Sequence, residues 1–166
     1  IFPDSFFQPN PSQASKIFEI VQNITAAHSA QVVYDLFCGT GTLGIVAANA
    51  QTQVYGIDIV ESSIELAIQN SKLNKLDNTT YVADDIYKNL NQYSWPDPDL
   101  IIVDPPRKGL GEKTIELIAS KKPPVLVYVS CNLKTFAQDA AYLKQFGYAL
   151  KQVNPVDQFP HTKHLE

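Results

Sequence analysis

Cys131 stands in the run Tyr128-Val-Ser-Cys-Asn132, at the end of a β-branched stretch and just before an apolar-periodic one that opens near Thr135. A thiol placed there faces the positive end of a helix. Arg107, Lys108 and Lys134 are cations that could favour its thiolate, the reactive form. Position alone leaves a buried structural thiol open as the alternative. A second rare run is Asp104-Pro-Pro-Arg-Lys-Gly109, in which two prolines stiffen the backbone beside a carboxylate. A third is Gly39-Thr-Gly-Thr-Leu-Gly44, a G-x-G-x-x-G turn that lets backbone approach a ligand closely. Asp58 stands where a carboxylate can accept from both hydroxyls of a ribose, and Asp84 or Asp85 where one can read an adenine amino group.

Asp35 separates two classes of ligand for this turn. It lies four residues before Gly39, where its charge would repel a pyrophosphate but can pair with an ammonium. S-adenosylmethionine carries that ammonium and no phosphate, so the pattern favours it over a dinucleotide. Cys38 reads as a small buried hydrophobe. The tail from Val156 to Glu166 gathers His161, His164 and Glu166; a zinc site is conceivable, but nothing else resembles a structural metal set, and no metal is expected.

The elements that must position these residues alternate. Helical spacing over Pro11–Ala27 precedes a strand at Gln31–Phe37, a helix at Thr42–Ala50, a strand at Gln53–Asp58 and a helix at Glu61–Asn74. A strand at Thr80–Ala83 leads into a weakly patterned polar stretch up to Pro98. Then come a strand at Leu100–Val103, a helix at Glu112–Ser120, a strand at Val125–Val129, a helix at Thr135–Phe146 and a last strand at Tyr148–Val153. Strands alternating with helices predict an α/β fold, a mainly parallel sheet covered on both faces, with ligands at the carboxyl ends of the strands.

The chain has 166 residues, 45% of them hydrophobic, which suits one domain with one core. No apolar run approaches a bilayer span and no signal peptide is visible. Two isolated cysteines make no disulfide framework, so a reducing, cytoplasmic setting is expected. The net charge is −4 and Arg107 is the single arginine, which is unfavourable for gripping phosphates. A nucleic-acid substrate would need help from another domain or from a local lysine patch.

Asp104-Pro-Pro-Arg-Lys-Gly109, Tyr128-Val-Ser-Cys-Asn-Leu-Lys-Thr135 and Val156–Glu166 together resemble the RNA uracil-5-methyltransferases, which act on transfer RNA or large-subunit ribosomal RNA. Phe6-Phe7-Gln8-Pro9-Asn10 and Asp35-Leu-Phe-Cys-Gly-Thr-Gly41 look similar too, so the resemblance spans nearly the whole chain. Leu133 stands where the family often has proline. The resemblance implies a Rossmann-like S-adenosylmethionine-dependent methyltransferase fold, with the last strand truncated. It implies a single catalytic domain over 1–166, a helical lead-in at 1–28 and a core at 29–166, without the RNA-binding N-terminal domains that family members carry.

The resemblance further implies methylation of carbon 5 of a uridine in RNA, 23S rRNA favoured over tRNA. Cys131 would be the nucleophile and Glu166 the base. The positions matching the family's cofactor contacts are Gln8, Phe37, Thr42, Asp58, Asp85 and Asp104, beside Asp35, Gly39 and Gly41 from the turn itself. The expected cofactor is S-adenosyl-L-methionine, the partner RNA rather than a membrane, and the state a monomer. His161 and Phe159 could line the pocket of a base drawn out of its stack. An amino-methylating nucleic-acid methyltransferase is disfavoured, because Arg107 stands where those enzymes have an aromatic. A nicotinamide oxidoreductase is disfavoured by Asp35. A non-catalytic cofactor- or RNA-binding module stays open.

Overall fold

In the computed structural model, residues 10–158 and residue 162 are described. Helix α1 (Pro11–Ala27) begins where Asn10 caps it by accepting from Gln13 N, and where proline fills a first-turn position that needs no N–H. The chain then alternates β1 (Val32–Leu36), α2 (Thr42–Ala47), β2 (Gln53–Asp58), α3 (Glu61–Leu73), β3 (Thr79–Ala83), α4 (Ile86–Asn89), β4 (Leu100–Val103), α5 (Gly111–Ser120), β5 (Val125–Tyr128) and α6 (Leu133–Leu143).

The five strands form one parallel sheet in the order β3-β2-β1-β4-β5. β1 is the middle strand, with Asp35 opposite Gly56 on one side and Ile102 on the other. Helices cover both faces, which explains why β4 reads as a continuous apolar run and why β1 is apolar or aromatic except at Asp35. On one face Ile17, Val21, Leu43 and Ala47 pack on Val33, Val54, Leu100 and Ile102. On the other, Leu110, Ile115, Ile118 and Leu143 pack on Tyr34, Leu36, Ile101 and Val103. Asp99 ties the starts of β1 and β4 by accepting from the N–H groups of Gln31 and Val32, both at 2.9 Å.

Three expectations need correction. The helix from Thr42 ends at Ala47 rather than Ala50, because Ala48 is extended and the Asn49 side chain accepts from Gln51 N in a local turn that competes with the helix. The polar stretch before Pro98 holds α4, capped by Asp85, then a 3-10 turn at Leu90–Gln92 and an aromatic strap. In that strap Trp95 stacks on Tyr93 and Tyr55, and Tyr34 Oη donates to Pro96 O at 2.8 Å. The strand expected at Tyr148–Val153 does not form. β5 pairs only with β4 among the described residues, and Leu150 and Val153 stay exposed. Alternation favours an extended chain, but a strand also needs a neighbour for its backbone groups.

Candidate active site

The carboxyl ends of β1, β2, β3 and β4 meet around the glycine turn. Phe37, the first residue beyond β1, takes φ +62°, a left-handed setting that is unusual for a side-chain-bearing residue. Its N–H donates to Ile57 O at 3.0 Å, which ties the turn to β2. Gly39 N donates to Asp58 Oδ2 at 2.9 Å, and Asp58 Oδ1 accepts from Val60 N at 3.0 Å. Each oxygen of Asp58 keeps a lone pair for a further donor. Gly41 caps α2 in the left-handed region, and Thr42 opens the helix with its hydroxyl 3.2 Å from that of Thr40. Gly44 is required by closeness: a Cβ there would sit 2.8 Å from Asp35 Oδ2 and 2.9 Å from Val54 Cγ1.

Asp35 is fully buried. Its Oδ2 accepts from Gly44 N at 2.8 Å, while Oδ1 has no hydrogen-bond partner among the described residues. Burial pushes its carboxyl up to about 7; the charges of Asp104 and Asp58 add to that rise, and the Gly44 N–H opposes it. Three carboxylates therefore share one field at the ends of β1, β2 and β4. Cys38 is buried beside them, and burial holds its thiol well above the ordinary range. It is the small hydrophobe that its context suggests.

The two acids after β3 have different tasks. Asp84 accepts from Tyr93 Oη at 2.5 Å, from Asn89 Nδ2 and from Asp85 N, and these donors hold its carboxyl below the usual range. It anchors the aromatic strap. Asp85 accepts from Tyr87 N at 2.9 Å and lies 3.3 Å from Lys88 Nζ. Tyr87 in turn meets Phe37 edge to face at 6.4 Å, so Asp85 borders the turn.

Cys131 is half-buried, three residues past the end of β5. Asn132 caps α6 by accepting from Lys134 N at 3.2 Å, which sets Cys131 at that helix's positive end. The Asp104–Gly109 segment is bound to this helix start. Asn132 Nδ2 donates to Arg107 O at 2.8 Å, and Thr135 Oγ1 lies 3.2 Å from the same oxygen. Asp104 N donates to Leu36 O at 3.4 Å, which brings that residue beside Phe37. The two motifs that sequence singled out thus meet in space, next to the glycine turn.

Asp139 was not singled out by sequence. Its Oδ2 accepts from Leu110 N and Tyr128 Oη, both at 2.7 Å, and its Oδ1 from Gly111 N at 3.2 Å. The available signal was an acid four residues after Thr135, on the inward face of α6. Gln8, Phe159, His161, His164 and Glu166 lie outside the described residues. Among those described, no group of three or more His, Cys, Asp or Glu could hold a metal, and no helix is long and apolar enough to cross a membrane.

The fold class follows from solved structures of low sequence identity. A precorrin-6y C5,15-methyltransferase of Geobacter metallireducens GS-15 superposes with a TM-score of 0.65 at 20% identity, over 78% of this chain and 72% of that one. The architecture is the Rossmann-like methyltransferase fold. The model of the tRNA (uracil-5-)-methyltransferase family matches residues 1–166, and the chain belongs to that family.

A Pyrococcus abyssi tRNA (uracil-54, C5)-methyltransferase, solved with S-adenosyl-L-homocysteine, superposes with a TM-score of 0.84 at 35% identity, over 99% of this chain and 39% of that one. An RNA methyltransferase of Protochlamydia amoebophila is 44% identical over 169 residues, and one of Caldanaerobacter subterraneus is 41% identical over 162 residues. The chain spans 38% and 36% of the length of these two relatives.

Proposed function

We propose that this chain is the cofactor-binding and catalytic part of an RNA uracil-5-methyltransferase that uses S-adenosyl-L-methionine, with Cys131 as nucleophile and Glu166 as base. One observation carries the reading. Asp35, Asp58 and Asp104 gather around the glycine turn while Cys131 stands at the neighbouring helix start, bound to the Asp104–Gly109 segment through Asn132. Three acids make a field that attracts a cation and repels a phosphate. The unpartnered Asp35 Oδ1 is suited to a ligand ammonium, and the free lone pairs of Asp58 to ribose hydroxyls. Gln8, Phe37, Gly39, Gly41, Thr42, Asp85 and Asp104 complete the proposed cofactor set.

When bound, S-adenosylmethionine supplies an electrophilic methyl group. Carbon 5 of uracil is too weak a nucleophile to accept it unaided, so the protein's task is covalent activation. The Cys131 thiolate, favoured by its place at the α6 N-terminus, adds to carbon 6 and leaves carbon 5 nucleophilic. After carbon 5 gains its methyl, Glu166 takes the proton from that carbon. The electron pair left on carbon 5 then re-forms the carbon 5–carbon 6 double bond as the carbon 6–sulfur bond breaks and Cys131 leaves as thiolate. The base must leave its stack for carbon 6 to be reached.

The single domain over 1–166, with 1–28 leading into a core at 29–166, takes its grip on RNA largely from segments of the full protein outside this chain. A monomer in the cytoplasm is the proposed state. Between RNA classes, 23S rRNA is the reading favoured from sequence. The Pyrococcus neighbour, described as acting on tRNA, favours the other.

The test is denaturing mass spectrometry after incubation with S-adenosylmethionine and RNA carrying 5-fluorouridine, run separately on ribosomal and transfer RNA. Fluorine cannot leave as a proton does, so the adduct is trapped. An adduct on the Cys131 peptide, absent in Cys131→Ala, establishes the nucleophile and uracil as the target nucleobase together. Normal turnover by Cys131→Ala ends the covalent reading.

A further inference from the structure

Asp139 is a buried acid that the mechanism above does not use. It is 6% exposed, and the donors that reach it arrive from two directions. Leu110 N and Gly111 N come from the end of the Asp104–Gly109 loop, and Tyr128 Oη comes from the last residue of β5. All three are neutral. A carboxylate in such a place is costly to bury, and it is stable only while every donor keeps its geometry. A carboxylate is also the one small side chain that accepts at both oxygens and donates at neither, so asparagine cannot satisfy the same set.

The loop is therefore held at two points. Asp139 fixes it at Leu110 and Gly111, and the Asn132 and Thr135 side chains meet it at Arg107 O. Both points lie on or beside the first two turns of α6, and Cys131 is the residue before that helix's cap. Burial and the Asp139 hydrogen bond both hold the Tyr128 phenol well above its ordinary range, so it stays a donor. The β5 end, the loop and the helix start form one closed circuit of hydrogen bonds in the segment that carries Cys131.

We infer that Asp139 is a positioning residue: it clamps the Arg107–Gly111 loop to α6 and the end of β5, and so fixes the setting of Cys131. The catalytic meaning of the clamp rests on the reading of Cys131 as nucleophile; the clamp itself does not.

The experiment uses the full chain and compares wild type with Asp139→Asn. Iodoacetamide modification of Cys131 and Cys38 is followed by peptide mass spectrometry. Cys38, 8% exposed in the other half of the sheet, reports general loosening. The expected result is a rise of about fivefold or more in Cys131 modification with Cys38 still protected. In the 5-fluorouridine assay the rate of adduct formation falls by about tenfold or more, with S-adenosylmethionine affinity within about twofold of wild type.

Unchanged Cys131 modification overturns the clamp, and an unchanged adduct rate, where wild type forms the adduct, overturns its catalytic meaning. A parallel rise at both cysteines shows a merely structural acid and overturns it too. If Asp139→Asn does not fold, Tyr128→Phe removes one of the three donors and is judged by the same two readouts, with smaller shifts in the same direction. A wild type that forms no adduct, with S-adenosylmethionine still bound, points to the RNA grip supplied from outside this chain or to a non-catalytic binding module, while the cysteine ratio still judges the clamp.

Discussion

Burial and ligand chemistry oppose each other at Asp35. Its carboxyl stands near 7 in the folded chain against 3.8 when free, so the folded state holds the proton more tightly. That contribution to stability is full below the free value and is lost as pH rises through about 7. Asp35→Asn keeps an acceptor for Gly44 N and puts an amide where the unpartnered oxygen lies. It is expected to stabilise the free protein at about pH 8 by about 1–3 kcal/mol and to flatten the pH dependence of urea unfolding between about pH 4 and 7. The same variant should bind S-adenosylmethionine poorly. In wild type, calorimetric affinity should weaken about tenfold from about pH 8 to about pH 6, because the ligand ammonium needs the ionised acid; a flat profile in both proteins refutes that role. Glu166→Gln is expected to accumulate the RNA adduct on denaturing gels, whereas complete turnover would dismiss Glu166 as the base. Sequence made Asp35 visible through its distance from the glycine turn. Its full burial was not visible, since that depends on α2 closing over it. Asp139 was hidden for a like reason: its donors are two main-chain N–H groups and a tyrosine from other elements.

Elements were legible where one period dominates. Leu100–Val103 is fully buried and reads as an unbroken apolar run, and Val32–Leu36 reads as a strand whose apolar run is broken only by Asp35. The stretch from Asp84 to Pro98 was opaque because its order comes from contacts rather than periodicity: Asp85 as a cap, Asp84 as an anchor, Trp95 laid between Tyr93 and Tyr55. The interlock of β2 with β3 is tighter than sequence hints. A Cβ on Gly56 would lie 2.3 Å from Tyr81 Cδ1, and Tyr81 Oη reaches Gly41 O at 3.2 Å. Gly56→Ala is therefore expected to destabilise by about 2–4 kcal/mol in urea titrations, by forcing the ring off its seat under the glycine turn. A change below about 0.5 kcal/mol would show that the ring has room to move.

At the scale of the molecule, charge and architecture pull apart the two binding tasks. The carboxyl end of the sheet gathers Asp35, Asp58 and Asp104, and the net charge of the chain is −4. A surface of that balance releases few counterions from RNA. The chain by itself is expected to bind RNA with a shallow dependence of log affinity on log salt, with fewer than about three phosphates neutralised, while it still binds S-adenosylmethionine. Filter binding across a salt series checks this, and a slope near that of a strongly basic RNA binder would relocate the grip to this domain. The parallel architecture was readable from alternation alone. The order β3-β2-β1-β4-β5 was not, because nothing in β1 announces which strands will flank it.

That order has a consequence for how the chain reaches its native state. β1 can meet β2, and β2 can then meet β3, as soon as each emerges, through short loop closures. Its other neighbour, β4, arrives only after α3, β3 and the aromatic strap have been made. Closing the longer loop later gives a half-sheet that forms early, with Leu36 and Tyr34 waiting for Ile101 and Val103. Rate measurements on truncations such as Val54→Ala and Val127→Ala should then divide between the two halves. The first should slow refolding, and the second should mainly hasten unfolding, because the half of the molecule that holds Cys131 is the last to assemble.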